Sequence, residues 1–305
     1  MPPSPRTRTP TPGPSSQTQS STTAATETTT STESRGAFSQ YVRGVQGEGA
    51  ARRQAQTDPR GPGVSGPDGV KKVSSAAGAR LGKAQAAVEH AKAVFAFGAG
   101  NQAEALKATQ FNSYFRLKCM RDPSCWELTS SVRGLAAANP EALTAAKADL
   151  AQGGNCGEHA QVAFDYLRVH ASGQVINRSA KTGLDHAFVL IGDLSKEDDS
   201  AIVVSDPWPT KATACVWQDH FAFTADRAQI DTSSSMTADG SNIKAVIAAG
   251  LKLSSRGLKM VQMNLPAEET DKKVQEGLGG WVWQHEQAQG GGRDHSYRVD
   301  PAEGR

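Results

Sequence analysis

Residues 153–170 read GGNCGEHAQVAFDYLRVH, two glycines running into a cysteine and then a segment of mixed polarity. Ala160, Ala163, Phe164 and Leu167 fall at i, i+3, i+4 and i+7, which puts them on one helix face. A helix is therefore predicted over 156–170, with Cys156 at or just before its first turn. Downstream come short β-like runs: QVINR (174–178), HAFVLIG (186–192) and AIVVS (201–205), with weaker ones at 213–217 and 259–264. Upstream, Ala-rich, Pro-free stretches predict helices at 84–98 and at 101–118, the second capped by Asn101. A third helix is predicted at 140–151, with Pro140 in its first turn. Helices first and strands afterwards indicate an α+β domain in which the cysteine-bearing helix packs on a mostly antiparallel sheet.

Of 305 residues, 37% are hydrophobic and 6% aromatic, and the apolar ones are unevenly spread. Residues 1–34 contain 18 Ser or Thr, and 1–36 have no Leu, Ile, Val, Phe, Tyr or Trp. A segment with nothing to bury cannot offset the entropy of ordering it, so 1–83 is expected to be a disordered leader. Residues 84–285 are expected to form the folded domain, with 84–150 as its helical N-terminal part, and 286–305 a flexible tail. The leader has no apolar h-region, so an ordinary secretory signal peptide is not expected. Its Ser-rich, acid-poor start suits a type III secretion leader or an organelle transit peptide.

No apolar run reaches the roughly 18 residues of a transmembrane helix, so no membrane span is expected. Formal net charge is +2, and residues 1–83 hold 11 Lys and Arg against 5 Asp and Glu. Aromatic residues are not interleaved with those arginines and no basic block exceeds two. The charge is read as solvation, with no nucleic-acid partner. Cysteines at 119, 125, 156 and 215 are too irregular for a disulfide framework, which points to a reducing compartment.

A thiol attacks carbonyl carbon as the thiolate. A helix N-terminus favours negative charge by about 0.3–1 kcal/mol. Glu158, two residues on, works against it, so a catalytic Cys156 requires a neighbouring imidazolium. His186 is the candidate. It opens a strand and shares a face with Phe188 and Leu190, while Ala187 and Val189 point the other way. If 186–192 and 201–205 pair antiparallel, the start of one lies beside the end of the other. Asp206 then sits next to His186, where a carboxylate holds the ring tautomer and stabilises its cation. Pro207 fixes the following turn, Trp208 is placed to shield the pair from water, and Gly157 leaves room beside the sulfur.

Taken together, GNCGEHA, DHAFVLIG and VVSDPWP resemble the catalytic core of the papain-like superfamily. In spacing they are closest to its transglutaminase-like branch, in the form found in bacterial type III effectors. The resemblance covers 150–210. It implies a papain/transglutaminase-like fold with Cys156 as nucleophile, His186 as base and then acid, and Asp206 as orienter. It also makes Gln152 and Asn155 side-chain candidates for the oxyanion donor, beside the backbone N–H of Cys156. The implied activity is thiol-mediated acyl transfer on a host protein, as protease, glutamine deamidase or transglutaminase, with no metal and no other cofactor. The Ser/Thr-rich leader is similar to those of such effectors. It implies delivery by a type III system into the host cytoplasm, with a secretion chaperone as a second partner. The alternative is an inactive papain-like fold used as a protein-binding module, with 84–150 as its contact surface.

Cys119 and Cys125, in KCMRDPSCWEL (118–128), have no further ligands nearby in sequence, whereas a metal site needs about four, and they read as two unpaired thiols. His159 lies one turn along the helix from Cys156 and is badly placed to receive the sulfur's proton. Trp217, Trp281 and Trp283 read as packing residues, and His220, His285 and His295 have no motif around them.

Overall fold

The structure is a computed structural model describing residues 70–241, 244–279 and 296–300. These belong to the larger of two contact units, Gly49–Arg305; the smaller, Met1–Glu48, lies outside the described residues. So do residues 49–69 of the expected leader, together with Trp281, Trp283, His285 and His295. In chain order the elements are β1 (Val70–Val73), α1 (Ser75–Val94), α2 (Ala103–Ala108), α3 (Asn112–Arg121), β2 (Trp126–Glu127), α4 (Ser130–Ala138), α5 (Pro140–Ala151), α6 (Cys156–His170) and β3 (Val175–Lys181). There follow β4 (Ala187–Ile191), β5 (Val203–Ser205), β6 (Cys215–Val216), β7 (Ile230–Thr237), α7 (Lys244–Ala248), β8 (Lys252–Leu253), α8 (Ser255–Met260), α9 (Ala267–Gln275) and β9 (Ser296–Val299).

The class is α+β. Five strands form one sheet in the order β6-β5-β4-β3-β7, with every neighbouring pair antiparallel. Strand β4 lies at its centre and is apolar on both faces, as a strand covered on both sides must be. Val189 and Ile191 face one core, made with Ala84 and Ala87 of α1 and Ala160, Ala163, Phe164 and Leu167 of α6. Phe188 and Leu190 face the other, with Ile202, Val204, Cys215 and Trp217. The predicted face of α6 is thus the one that buries, and it fixes the helix across the sheet with Cys156 at one end.

Helices α5 and α6 match their predicted spans. Elsewhere tertiary contacts redraw the boundaries. Helix α1 begins at Ser75, capped by the Ser74 side chain, and β1 precedes it, so a domain start at 84 falls inside a helix. The single helix read over 101–118 is two, broken at Gln110 and Phe111, both with positive φ. That break drives the Phe111 ring into a cluster with Leu106 and Val274 of α9. Asn101 caps neither, because its Oδ1 accepts the indole N–H of Trp208. The run at 259–264 is not a strand: it ends α8, a helix capped by Ser254 and pressed onto the Cys125 carbonyl at Gly257. Strand β7 (IDTSSSMT) carries almost no apolar signal and exists because β3 needs an edge partner for its backbone. Part of the expected tail, Ser296–Val299, is a strand paired parallel with β1.

The turn between α5 and α6 sets the position of Cys156. Gln152, the last cap of α5, takes the left-handed conformation with φ 53°, so the positive-φ residue is the glutamine and neither glycine that follows. The glycines serve close approach instead. A Cβ on Gly153 would stand 2.4 Å from the Arg116 backbone, and one on Gly154 the same distance from Glu158 Cβ. At Gly157, inside α6, nothing lies within 4 Å. Gly153→Ala should therefore lower stability by about 1–3 kcal/mol, whereas Gly157→Ala, a helical glycine with free space around it, should be neutral or stabilising by up to about 1 kcal/mol. Urea unfolding of the two variants checks the contrast; equal losses would mean that this close approach does not matter.

Candidate active site

Cys156 is the first residue of α6, where its N–H has no intrahelical acceptor. Its side chain is half-buried and packs against Ala99 and Trp208. The acid that opposed ionisation in the sequence is neutralised here: Glu158 forms a two-pronged pair with Arg121, both bonds 3.0 Å. Glu158 also accepts the Asn155 backbone N–H at 2.8 Å, so it serves as a helix cap.

His186 stands immediately before β4 and Asp206 immediately after β5. The β4–β5 register pairs Val189 with Ser205 and Ile191 with Val203, which brings those two ends together. His186 Nε2 lies 2.6 Å from Asp206 Oδ2, with both residues buried. The other ring nitrogen, Nδ1, is buried and makes no hydrogen bond of ordinary geometry. The Cys156 sulfur is nonetheless near enough to favour the charged ring, through a hydrogen-bonding interaction and through its charge. Sulfur and ring are in proximity without a closed bond.

Asp206 is held from three sides. Oδ2 accepts from His186 and also from His220 Nε2 at 3.0 Å, and Oδ1 accepts the Trp208 backbone N–H at 3.2 Å. Burial alone would push its carboxyl up, but the His186 charge and the hydrogen bonds of the two imidazoles outweigh it and hold the group well below the usual carboxylate range. Burial pulls His186 down, and the Asp206 charge and hydrogen bond, with Cys156, reverse this and raise it to about 10. His220 is lowered, by burial first and by the charge of His186. Over the pair sit Trp208, almost fully buried with its ring 5.0 Å from His186, and Phe221, 38% exposed and also 5.0 Å away. Trp208 is anchored through Asn101 and by Gln102, whose amide donates to the Trp208 carbonyl at 2.7 Å.

Cys156, His186 and Asp206 are thus brought together, and Trp208 covers them as anticipated. Gln152 and Asn155 flank the cysteine in sequence; the Gln152 Oε1 is buried without a partner, and the Asn155 side chain turns toward the backbone of Glu158 as the other half of a capping box. Each also carries an amide NH2, the group that could donate to an oxyanion. The Cys156 N–H is the donor the geometry offers. His159 donates from Nδ1 to the Asn155 carbonyl at 2.8 Å and stacks on Phe95, and burial with the Lys92 charge lowers it to about 3. It is a neutral packing residue. Cys119, Cys125 and Cys215 are buried free thiols, and burial pushes Cys119 and Cys215 up. Sequence reasoning missed His220, whose only local signal is its aromatic surroundings in WQDHFAF (217–223), and missed Arg121, whose pairing crosses from α3 to α6.

One oxygen or nitrogen each from His186, Asp206 and His220 lie within 4.8 Å of one another, a set that could ligate a metal. The 2.6 and 3.0 Å separations are those of two N–H groups converging on a single oxygen. A metal with ligands at about 2.0–2.2 Å would have to displace both protons and spread the three groups apart. The arrangement fits a hydrogen-bonded carboxylate better than a metal cradle.

No protein-family model matches the chain, and no curated protein or solved structure shows a match to it.

The raised His186 predicts a pH dependence of stability. A basic group whose folded value lies above its unfolded 6.5 stabilises fully below 6.5 and loses that contribution as pH climbs toward 10. The depressed Asp206 acts at the other end, contributing above roughly pH 4 and losing its contribution in acid. Urea unfolding of the native chain between pH 6.5 and 10 should show stability falling by up to ~1.4 kcal/mol per pH unit on this account. His186→Gln should flatten that slope, and parallel curves for the two proteins would refute the ion pair.

Proposed function

We propose that this chain is a cysteine enzyme of papain/transglutaminase-like fold that transfers acyl groups. Cys156 is its nucleophile, His186 its acid–base group and Asp206 the orienter of the imidazole. The observation that carries the reading is the buried His186, bonded through Nε2 to Asp206 with its second nitrogen unpartnered near a half-buried cysteine at a helix start. A helix bearing the cysteine, laid on an antiparallel sheet that supplies histidine and aspartate in that order, supports the papain-like reading.

The reaction follows from the groups in place. Cys156 gives its proton to His186 Nδ1, and the resulting thiolate–imidazolium pair is stabilised by the carboxylate behind the ring. Sulfur adds to a carbonyl carbon, and the Cys156 N–H donates to the developing oxyanion. His186 returns the proton to the leaving nitrogen as the C–N bond breaks, which leaves a thioester on Cys156. Water or an amine, deprotonated by His186, then attacks the thioester and restores the thiol. Trp208 limits water at the ion pair, and the open side at Gly157 admits the carbonyl. A peptide amine as leaving group makes this a protease, ammonia from glutamine a deamidase, and a lysine acceptor a transglutaminase. Delivery into a host cell by a type III system, with a host protein as substrate and a chaperone on the leader, is the setting we propose from the Ser/Thr-rich residues 1–34.

Alkylation with limiting iodoacetamide between pH 5 and 9 tests the reading. Cys156 should be modified selectively well below pH 8, and His186→Ala should slow its modification at pH 6 by about tenfold or more. If Cys156 instead ionises as an ordinary thiol, and the histidine makes no difference, the enzyme reading fails and an inactive binding fold takes its place.

A further inference from the structure

His220 belongs to none of the motifs that mark the site, yet its place in the fold is defined by four elements. The Ala222 backbone N–H donates to its Nδ1 at 3.3 Å. A backbone N–H can only donate, so Nδ1 holds the lone pair and the proton sits on Nε2. Nε2 then donates to Asp206 Oδ2. Phe188, Trp217 and Phe221 pack around the ring at 5.0, 5.9 and 4.5 Å, which keeps water from it.

The chain reaches His220 through a 3₁₀ turn, Trp217–Asp219, and that turn is clamped from outside the sheet. Asp219 accepts from the Lys71 ammonium and from the Tyr297 hydroxyl, the latter at 2.8 Å. Lys71 and Tyr297 are direct partners in the parallel β1–β9 ladder. The same Tyr297 oxygen accepts the Val216 N–H at 3.3 Å. Two residues far apart in sequence therefore grip the turn that delivers His220.

We propose that His220 is a positioning residue, a tautomer-locked donor that fixes the Asp206 carboxylate behind His186, and that the β1–β9 pair holds it there through Asp219. With a donor on each face of Oδ2 and another on Oδ1, the carboxylate cannot rotate and exchange its oxygens. The His186 ring is then aimed, and its Nδ1 faces Cys156. This inference rests on the thiol-enzyme reading above. The titratable and charged groups around the pair are Cys156 and His159 of α6, Lys92 of α1, Cys215 of β6, and beyond His220 the Asp219–Lys71 pair.

The test compares the full-length protein with His220→Gln, His220→Leu and Tyr297→Phe, reading the rate of Cys156 alkylation by iodoacetamide against pH. His220→Gln keeps an N–H donor and should keep the native profile within about twofold. His220→Leu should slow alkylation at pH 6 by about tenfold and move its onset to higher pH, and Tyr297→Phe should shift it the same way by two- to threefold. Histidine ¹⁵N spectra of the unmodified protein give a readout independent of whether His220→Leu folds. They should show one imidazole held as the neutral Nε2–H form while His186 is charged. A native profile in His220→Leu, or a His220 that takes up a second proton near neutral pH, overturns the proposal while leaving the enzyme reading standing. An unactivated Cys156 in the native chain removes both.

Discussion

The site depends on one buried negative charge. Asp206 is ionised in a place that would ordinarily neutralise a carboxyl, and three N–H donors make that tenable. Each donor comes from a different segment: the residue before β4, the turn after β5, and the loop after β6. Remove the charge and His186 has no reason to be protonated in a dry pocket; remove the imidazole and the carboxylate is stranded. This mutual dependence explains why burial, which opposes both charges separately, is offset for the pair.

Around that pair the fold supplies rigidity rather than further charge. Strand β4 is gripped by cores on both faces, so the residue at its mouth cannot drift. Helix α6 is pinned by the apolar face that packs on β4 and by the Glu158–Arg121 pair at its first turn. Gly153 lets the chain pass within contact of the Arg116 backbone and Gly154 within contact of Glu158, and Arg116 itself donates to the Ala151 carbonyl just before the turn. Cys156 and His186 are thereby presented by elements that share a single core.

Gln152 Oε1 and His186 Nδ1 are buried side-chain atoms without a hydrogen-bond partner among the described residues. Burying such groups unpaired is costly, on the order of 1–3 kcal/mol each. One belongs to the turn that leads into Cys156 and the other to the ring beside it.

Local sequence determined the parts whose signals are periodic or chemical. The apolar spacing of 160–167 specified α6, Pro140 specified the start of α5, and the branched run HAFVLIG specified β4 because a doubly covered strand must be apolar throughout. Cys156, His186 and Asp206 were legible because each stands at the end of such an element, and antiparallel pairing converts adjacent ends into contact. The remainder lay in relations that no local pattern carries. A break at Phe111 is set by a helix more than 150 residues later, β7 by the backbone needs of β3, and the role of His220 by a carboxylate from another strand and a clamp made by residues 71 and 297. Such hydrogen bonds and burials depend on where distant segments meet, and only the folded chain decides that.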